Sequence, residues 1–356
     1  MDIFFITILV CLFFWTVNKF TTLGILDNVR KSPQTFHKKS VSRLGGVAIL
    51  TSLAIGAFYL WADMVEYKML RLALISCLPI FLIGLVDDLK LQIPPILRIL
   101  LMIPTPIMFF YLLDLKVFEL KIFFIDYLLT FEFFSLLFLI FAIVGMANAF
   151  NIIDGFNGLL TSYCLLLMLN IYFNLDKSVD IQLVFFITTL FFAVLGIFVV
   201  NFPFGKIFLG DGGAYLLGGL IPLVIIKYFQ QLSLSPWYVL VLFIYPTVEV
   251  LISVIRKVFI RKRSALQPDG LHMHMLVYKR LTKILGFRRL RLRHFGVTAF
   301  IILLNFPFIL LANRFKYDDG GLMLLSVLFL IVYVSIYLSL IPKRIFRSPI
   351  LKGSIK

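Results

Sequence analysis

Five short stretches of this sequence concentrate residues able to bind an anion, hold a metal or move a proton. Gly84-Leu85-Val86-Asp87-Asp88 sets two carboxylates side by side at the end of an apolar run. Adjacent acids are costly there unless a cation or a proton-transfer role offsets them, and the pair suits Mg²⁺ or a base beside it. In Asn148-Ala-Phe-Asn151-Ile-Ile-Asp154-Gly155-Phe-Asn157-Gly158, the polar residues Asn148, Asn151 and Asp154 recur every third position. That spacing lines one face of a helical turn with amides and a carboxylate, and the glycines permit close backbone approach to a ligand. A third stretch, Asn201-Phe-Pro-Phe-Gly-Lys206-Ile-Phe208-Leu-Gly210-Asp211-Gly212-Gly213, leads into another apolar run. Glycines around an acid at a helix start predict free N–H groups for a phosphate, with Asp211 holding the accompanying metal and Phe208 placed to stack on a flat base.

The fourth stretch is Pro268-Asp269-Gly270-Leu271-His272-Met273-His274. His272 and His274 suit a metal or a phosphate hydrogen bond, and the scarcity of cysteine and other histidines weighs against zinc. In the fifth, His37 precedes Arg43-Leu-Gly45-Gly46 by six residues, and a His and an Arg beside paired glycines again suit phosphate. Each stretch alone has a plainer reading: solvated loop acids, a glycine-rich turn, or a basic flank that sets topology. As a set they supply metal ligands, phosphate donors and a flat-base platform. The chemistry they best support is phosphoryl transfer between a nucleotide diphosphate compound and a membrane-embedded acceptor.

The elements that must position these residues are apolar. Of 356 residues, 61% are hydrophobic and only 15% charged, against about 25% charged in a soluble domain. The chain reads as an all-α, polytopic membrane helix bundle forming one integral-membrane domain over 1–356. Runs near 2–22, 44–62, 70–86, 96–113, 130–150, 158–175, 181–200, 213–230, 236–255, 295–313 and 321–341 predict about eleven transmembrane helices, with 114–129 as a loop or interfacial piece. The first run lacks a basic leader and a small-residue cleavage site, so it reads as a retained helix. Cys11, Cys77 and Cys164 fall inside apolar runs and read as packing residues.

Alternate loops carry 26 of the 34 lysines and arginines, twelve of them between Arg256 and Arg293. The positive-inside rule then places the N-terminus outside and the C-terminus in the cytoplasm. The excess of positive charge (+16) reports topology and contact with anionic membrane lipid rather than nucleic acid. All five chemical stretches fall in the predicted cytoplasmic loops, about 23–43, 87–95, 148–157, 201–212 and 256–294. A transporter is expected to hold ionisable groups near the bilayer midplane. Glu249 is the one plausible mid-helix charge, seven residues before Arg256 and so on roughly the same face. The pattern predicts a site at the inner membrane surface, not a path across it.

The set GxxDD, NxxNxxDGxxGL, NxPxxKxFxGDxG and PDxxHxH, in this order on alternate loops over about residues 24–275, resembles the polyprenyl-phosphate N-acetylhexosamine-1-phosphate transferases. The resemblance implies transfer of sugar-1-phosphate from a UDP-N-acetylhexosamine to undecaprenyl phosphate, with release of UMP and a requirement for Mg²⁺ (Mn²⁺ being the other candidate). It implies Asp87 and Asp88 as the catalytic acids, with His272 and His274 in the histidine motif. It further implies Asp211, with Asp88, as metal ligands, Phe208 as the uracil platform, and Asn201 and Asp154 as residues lining the nucleotide. His37, Arg43, Asn148, Asn151 and Lys206 complete the expected substrate-binding set. By the same resemblance the protein sits in a bacterial inner membrane, with a homodimer as the candidate assembly.

Several positions depart from the family pattern. Met275 interrupts the histidine run, Gly270 stands where Arg is usual, and Asn157 replaces a frequent Asp. Ser40 and Ser42 replace prolines, and the spacing from Asp27 to His37 differs by about two residues. These departures leave the sugar open and favour the branch that initiates O-antigen over the phospho-MurNAc-pentapeptide translocase. From other classes, a transporter or lipid-linked sugar flippase and an inactive scaffold are the competing expectations.

Overall fold

The computed structural model describes residues 2–20, 41–91, 93–175, 179–262, 264, 270–286 and 289–341. Asp27, His37 and Asp269 lie outside the described residues. The described chain is helical, and the one β-type pairing among those residues is a parallel bridge between Ser42 and Ile207. In chain order the helices are α1 (Asp2–Phe20), α2 (Gly45–Ile55), α3 (Lys68–Ser76), α4 (Leu78–Asp88), α5 (Pro95–Met102), α6 (Pro104–Leu112), α7 (Phe123–Leu129) and α8 (Glu132–Ile153). They continue with α9 (Leu159–Phe173), α10 (Ile181–Asn201), α11 (Gly210–Leu232), α12 (Pro236–Leu242), α13 (Ile244–Ile255), α14 (Met273–Leu285), α15 (Leu290–Arg314) and α16 (Asp319–Leu340).

Six helical stretches are long and apolar enough to cross a membrane, or up to eight if each bent pair is one span. One bent pair turns by 47° between Ser76 and Leu78, the other by 75° between Leu242 and Ile244. Proline starts α12, α5 and α6, where its missing N–H costs nothing. Three shorter apolar helical stretches are Asp2–Thr16, Gly45–Leu60 and Leu159–Phe173. The expected interfacial piece is irregular from Leu113 to Ile122 and then forms the short α7, whose Phe123 and Phe124 are exposed.

At the centre stands α11, buried along almost its whole length. Small residues let its neighbours approach, as helix packing in lipid requires. A Cβ on Gly84 of α4 would lie 2.5 Å from the Gly212 backbone. One on Gly46 of α2 would strike the Gly213 backbone, and one on Gly218 would strike Ala147 of α8. Away from the chemical loops, Asn170, Tyr238 and Asn313 close a hydrogen-bonded triangle joining α9, α12 and α15. At the other end of α11, the glycine contacts bring three of the five polar stretches together.

Candidate active site

The start of α11 is built by two strands of chain that never reach sheet length. Phe208 N–H donates to Ser42 O (2.8 Å), Gly45 N–H to Phe208 O (2.9 Å) and Gly46 N–H to Leu209 O (2.8 Å). This zipper fixes Arg43 and Phe208 by their own backbones. Gly210 takes φ +79° where Arg43 O and the Asp88 carboxylate crowd its α-carbon, a position only glycine fills without strain.

Asp88 ends α4 and is 3% exposed. Its Oδ1 accepts from Asp211 N–H (3.0 Å) and its Oδ2 from Gly212 N–H (2.9 Å). Arg43 Nη1 lies 3.1 Å from Asp88 Oδ1, and Arg43 Nη2 3.7 Å from Asp211 Oδ1. The free helix N-terminus expected for a phosphate is therefore occupied: a carboxylate from another helix caps it. The reading of the Gly210–Gly213 run as a phosphate cradle is corrected accordingly. Those glycines instead admit Asp88 and the backbones of α2 and α4.

Asp211 remains partly exposed, and its Oδ1 accepts from Asn151 Nδ2 at 2.9 Å. Asp87 is ion-paired through Oδ2 with Arg98 Nε at 2.8 Å, and Arg98 Nη1 donates to the Tyr215 hydroxyl at 3.2 Å. Arg98 and Tyr215 escaped the sequence reading. Each sits inside an apolar run, and its only sequence signal is a polar group on the face that meets the acids.

Asp154 lies just past α8, partly open to the cleft. Burial pushes its carboxyl well above the usual carboxylate range; Arg43 opposes this, and Asp211 and Asp88 add to it. Asp88, Asp154 and Asp211, spread over three loops, thus share one electrostatic neighbourhood around Arg43.

The other expected residues have mixed placements. Asn148 turns Nδ2 back to Val144 O at 2.8 Å. Asn201 is 6% exposed, and both ends of its amide are used: Oδ1 accepts from Gly158 N–H (2.5 Å) and Nδ2 donates to Ile207 O (2.6 Å). Asn201 clamps two loops together from behind the cleft and does not line it. Lys206 is exposed, its ammonium 5.4 Å from the centre of the Trp15 ring on α1, and among the described residues it forms no ion pair with the acids. Phe208 is partly exposed beside Arg43 in sequence register.

His272 and His274 are both buried at the start of α14, their rings stacked 5.5 Å apart and nearly parallel. His272 Nδ1 lies 3.0 Å from Glu249 Oε1, and His274 Nδ1 lies 3.1 Å from the Tyr245 hydroxyl. A Cβ on Gly155, beside Asp154, would sit 3.3 Å from His274 Nε2, which places this histidine against the Asp154 turn. Burial pulls the His274 imidazole down to about 3, so it is neutral at pH 7. The expectation that Glu249 and Arg256 share a face does not become a pair. Arg256 turns to Leu271 O, the Tyr337 hydroxyl and Ser253.

The donor set is oxygen-rich: the carboxylates of Asp211 and Asp154, with the Asn151 amide beside them. No three His, Cys, Asp or Glu side chains among the described residues converge as a ready-made cage. Mg²⁺ is ordinarily held by one or two carboxylates, with waters and substrate phosphates completing the octahedron, so these residues fit it. Asp88 fits less well than expected, because both oxygens already serve backbone N–H groups and Arg43.

A family model described as glycosyl transferase family 4 matches residues 70–229. Undecaprenyl-phosphate alpha-N-acetylglucosaminyl 1-phosphate transferase of Thermotoga maritima is 26% identical over 265 residues, 71% of this chain and 74% of that protein. Phospho-N-acetylmuramoyl-pentapeptide-transferase of Staphylococcus epidermidis is 27% identical over 218 residues, 57% of this chain and 68% of that protein. The same-named enzyme of Staphylococcus saprophyticus is 28% identical over 241 residues, 63% of this chain and 73% of that protein. The region matched by the family model holds the α4 acids, the Asn151–Asp154 turn and the Asp211 loop, while Arg43 precedes it. Over residues 70–229 the chain is therefore similar to glycosyl transferase family 4, and its relatives include a sugar 1-phosphate transferase that acts on undecaprenyl phosphate by name.

Proposed function

We propose that this protein transfers sugar-1-phosphate from a UDP-N-acetylhexosamine to undecaprenyl phosphate, releasing UMP, as the first step of a lipid-linked glycan such as O-antigen. The observation that carries this reading is Arg43 paired with both Asp88 and Asp211, with Asn151 on Asp211 and Asp154 near enough for its carboxyl to respond to all three charges. Three acids, one arginine and an asparagine at the membrane end of a helix bundle suit a metal-bound diphosphate and little else.

In this reading Asp211, steadied by Asn151 and joined by Asp154, would hold Mg²⁺, which when bound would supply charge neutralisation for the diphosphate and for UMP as leaving group. An oxygen of the lipid phosphate attacks the β-phosphorus, the one that carries the sugar. The P–O bond to the bridging oxygen breaks, and the electron pair leaves with UMP. Asp87 takes the remaining proton of the attacking phosphate, a modest task for a group whose second pKa is near 6. Asp88 acts through its hold on the α11 backbone. Phe208 stacks on the uracil, Arg43 bridges the acids to the diphosphate, and His272 and His274 hydrogen-bond the donor from the α14 side.

We read the three shorter apolar helices as spans as well, which gives eleven spans with the N-terminus outside and the site cytoplasmic in a bacterial inner membrane. The transporter reading loses its main support, because Glu249 is held by His272, Met273 N–H and the Tyr333 hydroxyl and is not free to carry an ion. The pentapeptide-transferase reading is kept because relatives with that name match.

The test is to incubate the purified protein with undecaprenyl phosphate, Mg²⁺ and a panel of UDP-sugars, including UDP-MurNAc-pentapeptide. Release of UMP with a UDP-N-acetylhexosamine is expected. Release with the pentapeptide donor alone would replace the assignment, and no release with any donor would remove it.

A further inference from the structure

The proposed transfer reaction assigns no task to the carboxylate of Glu249, although it is 1% exposed and sits within an otherwise apolar helix. Its partners all come from elsewhere in the chain. Oε1 accepts from Met273 N–H (3.0 Å) and pairs with His272 Nδ1 (3.0 Å), while Oε2 accepts from the Tyr333 hydroxyl of α16 (2.9 Å). One turn earlier on the same face of α13, the Tyr245 hydroxyl meets His274 Nδ1. One helix face therefore holds Nδ1 of both histidines. With the rings stacked and only 3° from parallel, both Nε2 atoms face away from α13, that of His274 toward Gly155 and the Asp154 turn. Nε2 of His274 is buried and makes no hydrogen bond among the described residues.

We propose that Glu249 is a positioning residue for the reaction: it holds His272 Nδ1 so that Nε2 of this ring, stacked on His274, is presented to the nucleotide-sugar. The inference rests on the transfer reading above and adds to it a residue from inside the membrane span. The physical reason is general. Which imidazole nitrogen carries the proton is set by the hydrogen bond the other nitrogen makes, and a carboxylate on one side fixes both tautomer and ring angle. The Tyr333 bond and the Met273 N–H fix the carboxylate in turn, so the whole start of α14 is referenced to α13 and α16. A solvated histidine loop would have to be ordered at each turnover; this one is ordered in advance.

Glu249→Gln tests the proposal, because the amide keeps the shape and an acceptor for Met273 N–H while losing the charge. The chain has four histidines, so ¹⁵N-histidine labelling gives a spectrum in which His272 is assigned by its loss in His272→Gln. In Glu249→Gln the His272 ring resonances should move, and UMP release should fall by about tenfold or more. In the His272→Gln background the same change should cost no further activity, since the carboxylate acts through that ring. Unmoved ring resonances, or losses that multiply in the double variant, would overturn the proposal. Moved resonances with full UMP release would also overturn it, as the ring's placement would not matter to turnover. If Glu249→Gln fails to fold, Glu249→Asp replaces it, with partial activity expected from a retained but shorter carboxylate and full activity counting against. Absence of UMP release from the unaltered protein with every donor sinks only the transfer reading, because the ring resonances still report whether Glu249 holds His272.

Discussion

An acid that gives both oxygens to backbone N–H groups has little left for a substrate, and Asp88 is in that position. Sequence shows two adjacent carboxylates and cannot show which one turns inward; Asp87 and Asp88 differ only by a 100° step around α4. Asp211→Asn should abolish metal-dependent turnover, lowering UMP release by at least about 100-fold with the fold intact by circular dichroism. An Asp211→Asn variant retaining most activity would move the metal elsewhere. Asp154 supplies a second test because its carboxyl is raised mainly by burial. A carboxyl raised in the folded state stabilises the fold at acid pH, and that contribution is lost as pH climbs from about 4 through the raised value. Asp154→Asn should therefore melt about 2 °C or more above the unaltered protein at pH 8, with the gap closing below pH 4, while losing activity. A gap that widens toward acid would contradict the burial assigned to this group.

At the scale of elements, what was legible was that glycine is needed; what approaches the glycine was not. Gly46 and the Gly210–Gly213 run read in sequence as room for a phosphate, whereas in the structure most of that room is filled by other backbones, and Gly84, which carried no such reading, is likewise packed on one. The physical reason is that a missing Cβ reports close approach and is blind to the identity of the neighbour. Gly84→Ala would place its Cβ 2.5 Å from the Gly212 backbone, so α4 and α11 must separate. A destabilisation of about 1–3 kcal/mol is expected, read as a lower unfolding midpoint in detergent, together with loss of UMP release as Asp88 leaves the α11 N-terminus. Gly145→Ala is the control, because nothing lies within 4 Å of its added Cβ. Since Ala favours a helix over Gly, Gly145→Ala should be neutral or stabilising, and equal destabilisation at the two positions would show that the Gly84 contact with α11 is not its cause. Similarly, Asn201 reads in sequence as a nucleotide ligand, whereas its buried amide joins the Gly158 and Ile207 loops with one bond at each end.

For the whole molecule, hydrophobic run length located the apolar helices but not α7 or α14, which fall in stretches read as loops, and the number of spans depends on how 15-residue helices sit in a bilayer about 30 Å thick. Six to eight stretches qualify by length and composition, and the shorter ones need flanking residues or a locally thinned membrane to cross. Charge decides between the arrangements. The surface near the acids adjoins the basic stretch around α14, while the α15–α16 turn lies at the other end of α15. Cys11, Cys77 and Cys164 are buried, which gives a low background for labelling introduced thiols. Lys283 on α14 is exposed, and Tyr317 in the α15–α16 turn is 64% exposed. With a membrane-impermeant maleimide on sealed vesicles, Tyr317→Cys should label from the periplasmic side and Lys283→Cys only in inverted vesicles. Labelling of both from one side would mean that α15 does not cross, and the positive-inside argument would then lose the parity that puts all the reactive loops together. Opposite labelling with the sides exchanged would keep the fold and the acid cluster but would place the UDP-sugar site away from the cytoplasm, where no nucleotide-sugar supply is expected, and so would remove the transferase reading at the level of the cell.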